Sequence, residues 1–122
     1  MGIGVYCKPI YRNAIYQRRN ILRLNLLHEA CETLSRYGIV SGESEFSQLF
    51  LGKSECFLRT LRHQRRDPHL GVYAVCQSRL QAASCQLASS PRYQHIGREL
   101  EILAAKCRDI VNQDAIEFNL SA

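Results

Sequence analysis

Much of what this chain lacks narrows what it can be. No run approaches the roughly 18 apolar residues that a membrane-spanning helix needs, so helical membrane spans are excluded. No pair of its six cysteines stands as C-x-x-C, and His28, His63, His69 and His95 lie at no zinc-ligand spacing from them. Neither a metal nor any other cofactor is expected. Apolar and polar residues do not alternate and the β-branched residues are scattered, so strands are not expected either. The N-terminus shows no apolar run ahead of a cleavage-like site, so the cysteines are expected as free thiols of a reducing compartment rather than a disulfide framework, and the expected location is cytoplasmic. The Met-Gly start fails as a myristoylation motif, because Tyr6 stands where Ser or Thr is required. No motif with a catalytic mechanism is present. Ser54, His63 and Asp67 hold triad chemistries but sit at helical positions that do not converge, so the chain is not expected to be an enzyme.

What remains is a small chain able to build one core. Its 122 residues are 46% hydrophobic and 22% charged, the balance of a folded domain rather than a disordered segment. The net charge of +5 is unevenly spread. Residues 1–20 carry +4, residues 21–52 carry −2, Lys53 to Arg79 carry +4, and the part beyond Ser89 carries −1. Thirteen of the sixteen bases are arginine, whose planar fork suits bidentate contact with phosphate or a guanine edge.

Residues 1–20 show no periodicity and read as a basic N-terminal arm, in which Cys7 lies beside Lys8. Residues 21–122 read as one helical domain. A first helix from about Ile21 to Tyr37 repeats Leu24, Leu27, Cys31 and Leu34 at three- and four-residue steps, and Gly38 closes it. Ser41 or Ser44 can cap a short second helix that reaches Leu51 with Phe46, Leu49 and Phe50 inward, and Gly52 supplies the turn. Ser54 then caps a third helix with Phe57, Leu58 and Leu61 inward, ending before Asp67-Pro68. A fourth runs from about Leu70 to Leu87, offering Leu70, Tyr73, Cys76 and Leu80 to the core. The last, about Arg92 to Asn112, carries the stripe Ile96, Leu100, Leu103, Cys107 and Ile110. Cys31, Cys56, Cys76 and Cys107 fall in apolar patterns and are expected in the core. The fold class is all-α, a compact orthogonal bundle of about five helices containing a helix-turn-helix at about 43–66.

On the third helix, Glu55, Arg59, Arg62, His63 and Arg66 lie across from the apolar face. A short helix, a turn at Gly52, an arginine-bearing helix and then Asp67-Pro68-His69-Leu70 opening another resembles the phage-repressor type of helix-turn-helix domain. More narrowly, Glu45 to Leu70 is similar to a motif, E-F-S-x-x-W-L-G-x-S, of small uncharacterised bacterial proteins. Phe46, Ser47, Leu51, Gly52 and Ser54 carry that resemblance, and Phe57, Leu61, Arg62, Arg66 and Pro68 extend it. Ser47 stands five positions before Gly52 rather than four, so the turn is expected to be one residue longer than the repressor type.

The repressor resemblance implies double-stranded DNA as the partner. Ser54, Glu55 and Arg59 would face base edges, and Lys53, Arg62, Arg65 and Arg66 would lie nearer phosphates. The competing account makes Glu55–Arg59 and Glu55–Arg62 surface ion pairs, with Arg65 and Arg66 capping the helix end. In that account the chain is a non-catalytic protein-interaction or adaptor module that dimerises through the C-terminal helix, whose stripe Ile96 to Ile110 suits a dimer or partner surface.

Overall fold

The computed structural model describes residues 23–66 and 68–121, with side chains as far as Gln113. The N-terminal arm, Cys7 and Asp67 lie outside the described residues. The protein is all-α: five helices and one short 3-10 turn, with no strand among the described residues. Helix α1 covers residues 23–36, α2 Glu43–Phe50, α3 Phe57–Gln64, α4 Leu70–Ala88 and α5 Gln94–Ser121, with the 3-10 turn at Pro91–Tyr93. No described helix is long and apolar enough to cross a membrane.

The apolar stripe of α1 goes where its periodicity directs it. Leu27 and Leu34 are fully buried, Cys31 nearly so, and Leu24 packs at the edge of the core. Gly38, at φ 74, ends the helix. Around it the Ile39 N–H donates to the Leu34 carbonyl at 2.8 Å and the Gly38 N–H to Ser35 at 3.1 Å, the paired bonds of a left-handed helix end.

α4 and α5 form the largest packing surface of the molecule. Ser84 meets Gly97 and Cys76 meets Cys107, a reversed order that makes the two helices antiparallel. Tyr73, Cys76 and Leu80 from α4 interlock with Leu100, Leu103 and Cys107 from α5. Fully burying a leucine stabilises by about 1.5–3 kcal/mol, so this hairpin carries much of the core. At its closed end the helices nearly touch: the Ser84 hydroxyl donates to the Gly97 carbonyl at 2.6 Å, and a Cβ on Gly97 would come within 3.0 Å of the Ser84 carbonyl oxygen. Lys106 of α5 pairs with Glu29 of α1 at 3.2 Å.

Several expectations need correction. α5 does not stop near Asn112 but continues to Ser121, since no proline or glycine interrupts it. Its stripe from Ile96 to Ile110 packs within the protomer, so these residues serve the core. Cys56 is exposed rather than buried, because α3 begins one residue after it. In α2, Leu49 faces solvent at 53% exposure, and Ser47 takes the inward position with none. Phe46 and Phe50 are fixed inward and stacked at 5.9 Å; positions 47 and 49 flank that face equally, and it is the Ser47 side that the rest of the core covers. Neither Ser41 nor Ser44 caps α2 by its side chain; Gly42 precedes it, and the Ser41 hydroxyl instead donates to Glu45 at 3.3 Å.

Candidate nucleic-acid interface

The link between α2 and α3, residues 51–56, sets the position of the basic segment. Leu51 is buried and anchors its start. Gly52, at φ 66, turns the chain in the left-handed region where a side chain is strained. The Lys53 N–H then reaches back to the Ser47 carbonyl at 3.0 Å. Arg79 of α4 packs its guanidinium beside Gly52 and donates to the carbonyls of Gln48 and Leu49. A cation placed on the last carbonyls of α2 satisfies acceptors the helix cannot and suits the negative end of its dipole.

α3 starts at Phe57, two residues later than Ser54 capping would place it, and its cap residue Cys56 makes no side-chain capping bond. Ser54 and Glu55 are therefore exposed residues of the link, not the first turn of a reading helix. The Ser54 carbonyl is used by the Phe57 N–H at 3.1 Å, which closes a turn ahead of the helix. Leu58 and Leu61 bury the inner face of α3, with Phe57 half-buried beside them. The outer face presents Arg59 and His63 to solvent. At the far end Arg65 adopts φ 53 and ψ 42, and the N–H groups of Arg65 and Arg66 donate to the Arg62 and Leu61 carbonyls at 3.3 and 3.2 Å. Arg65 does terminate the helix, through its backbone rather than its charge.

Arg62 behaves differently from its neighbours. Its guanidinium grips Glu43 of α2 with both nitrogens, at 2.9 and 3.1 Å. The two side chains keep 43% and 39% of their exposure, so the pair is worth no more than about 1 kcal/mol. Its value is geometric, because a two-pronged bond fixes α3 against α2. His28 of α1 completes the cluster with Nδ1 3.9 Å from Glu43. Burial and the nearby Arg62 charge lower the His28 pKa, against the raising effect of Glu43. Arg62 is thus engaged in holding the fold, and the ion pairs expected from Glu55 to Arg59 and Arg62 are not formed among the described residues.

The remaining cations stay available. Lys53 extends over the Phe57 ring at 5.7 Å, and Arg59, Arg65 and Arg66 are exposed with no ion-pair partner among the described residues. Four of the seven candidate residues, Lys53, Arg59, Arg65 and Arg66, therefore form an open basic surface around α3.

The span from α1 to the far part of α5 carries a recognisable family pattern. The chain belongs to DUF6626, a family of unknown function. The match covers residues 27–119, and so includes every candidate residue and the helices that hold them. No curated protein and no solved structure matches the chain.

The sequence reading missed Glu43, His28 and Arg79 as partners of this region. Arg79 lies about 30 residues from the carbonyls it caps and Glu43 19 from Arg62, separations at which no periodicity argument operates. No described group of three or more His, Cys, Asp or Glu side chains is placed to hold a metal ion. Cys76 and Cys107 form a buried thiol pair between α4 and α5, where the hydrogen bond to Cys107 and burial push the Cys76 thiol far above its ordinary range.

Proposed function

We propose that the protein binds double-stranded DNA through the basic surface around α3, as a small regulator of the repressor-like helix-turn-helix kind. One observation carries the reading. Lys53, Arg59, Arg65 and Arg66 are exposed on α3 and the turns that flank it, without acidic partners among the described residues. Arginines held this way offer phosphate contacts that release counterions, and Arg59 and His63, mid-helix and outward, are the side chains nearest a base edge. Arg62 belongs to the support of the surface rather than to its contacts.

The test is binding to labelled random duplex DNA over a salt series. Each phosphate neutralised contributes a log-log slope of about −0.9, so four cations predict a slope of about −3 to −4. An Arg59→Gln/Arg65→Gln variant, which leaves the Arg62–Glu43 pair intact, should flatten it by about two units. No binding at low salt, or an unchanged slope in the variant, removes this surface from the account and leaves the adaptor reading.

A further inference from the structure

On the flank of α3 opposite Arg59, a groove of about 260 Å³ opens between α3 and the start of α4. Its floor is apolar, made by Phe57, Leu61 and Pro68. Lys53 and Arg66 bring two fixed positive charges to it, with no carboxylate among the described lining residues. Thr60 and Gln64, one turn apart on α3, also line it and place a hydroxyl and an amide beside the floor.

A floor of this kind excludes a bare anion as the best-fitting occupant. Inorganic phosphate would use the two charges and leave the apolar surface wet, while a neutral apolar molecule would leave the charges without a counter-charge. The occupant must join a negative group to a flat apolar body. Its size is bounded too, since the groove lies just below the range of about 300–1,000 Å³ usual for small-molecule sites. Lys53, whose ammonium lies 5.7 Å from the Phe57 ring centroid, brings a positive charge to the edge of the apolar floor and must swing aside for such a body to lie on that ring.

We propose that this groove is a mononucleotide-class binding site, with the phosphate between Lys53 and Arg66 and the base on the Phe57, Leu61 and Pro68 floor. Thr60 and Gln64 then meet the base edge with donors and acceptors. The site does not depend on the DNA reading: it uses a different flank of α3 and, apart from Lys53 and Arg66, different residues. Occupation would neutralise two of the four open cations, which couples the two surfaces electrostatically.

The experiment is titration of the full chain with thymidine 5′-monophosphate, thymidine and inorganic phosphate, followed by calorimetry and by backbone amide NMR shifts. The monophosphate is expected to bind at least tenfold more tightly than either half alone, moving the amides of Phe57, Thr60 and Val72. Lys53→Gln/Arg66→Gln should weaken it tenfold or more with an unchanged circular dichroism spectrum, and Arg59→Gln/Arg65→Gln should leave it unchanged. Phosphate binding as well as the monophosphate, shifts confined to other helices, or affinity unaltered in Lys53→Gln/Arg66→Gln would each overturn the proposal. Loss of DNA binding with nucleotide binding retained would sink only the DNA reading, and the reverse only this one.

Discussion

Replacing Gly97 by Ala sets two effects of opposite sign against each other. In an exposed helix interior the change stabilises by about 0.8–1 kcal/mol, because alanine has less backbone freedom to lose. At Gly97 the new Cβ would lie 3.0 Å from the Ser84 carbonyl oxygen and 3.3 Å from the Ala88 nitrogen. Both are backbone atoms of α4 and cannot swing aside as a side-chain tip could. The α4–α5 crossing must open by a few tenths of an ångström, which strains the 2.6 Å bond from Ser84 to Gly97 and loosens the packing beyond it. Overpacking of this kind costs about 1–3 kcal/mol, so the net effect is a loss of about 0–2 kcal/mol. Gly71, in the first turn of α4, supplies the control, since a Cβ there meets nothing within 4 Å. Gly71→Ala should stabilise by up to about 1 kcal/mol. Thermal unfolding followed by circular dichroism resolves the two, at about 3–5 °C per kcal/mol for a domain of this size. If Gly97→Ala raised the melting temperature as much as Gly71→Ala, the close crossing of α4 and α5 would be wrong.

Arg65→Gly should stabilise the fold by about 0.5–1 kcal/mol, because φ 53 strains a residue with a Cβ, and should at the same time weaken DNA binding; urea unfolding and the salt series measure the two directions separately. The Ser47 hydroxyl is fully buried without a hydrogen-bond partner, so Ser47→Ala should be neutral or stabilising by up to about 1 kcal/mol, and a clear loss of stability in urea would show that the hydroxyl is bonded after all. His28 has a lowered pKa in the fold, so the unfolded chain takes up its proton first as pH falls. The stability this residue contributes is full above about 6.5 and declines below it, and His28→Gln should flatten urea midpoints measured between pH 7.5 and 5.5.

The parts legible in the sequence were those governed by local pattern. Leu27, Cys31 and Leu34 repeat with the helical period and are buried; so do Ile96, Leu100, Leu103 and Cys107; Gly38 and Gly52 sit at positive φ where helices end. The parts that were not legible depend on contacts between elements. A serine before an apolar run resembles a cap, yet Ser54 lies in a turn, since Leu51 and Leu58 are both drawn into the core and the chain between them must take up the slack. Leu49 turns outward while Ser47 is buried because positions 47 and 49 flank the Phe46–Phe50 face equally, so the choice between them rests on which side the other helices cover. In the candidate site, the arginines were visible as charges, but only the position of Glu43 separates Arg62, which is bound, from Arg59, which is open.

The unequal packing of the two helix pairs implies an order of assembly. The α4–α5 hairpin is joined by a short connection and closes through neighbours such as Ser84 and Gly97, so it can form early with little loop-closure entropy. The α2–α3 unit is tied to this platform by Leu58, Leu61 and the Arg79 strap, and to α1 through Glu43 and His28. Amide hydrogen exchange should therefore be slowest in the middle of α4 and α5, with α2 and α3 opening at lower free energy while the hairpin stays closed. The basic surface thus sits on the unit expected to open before the hairpin does.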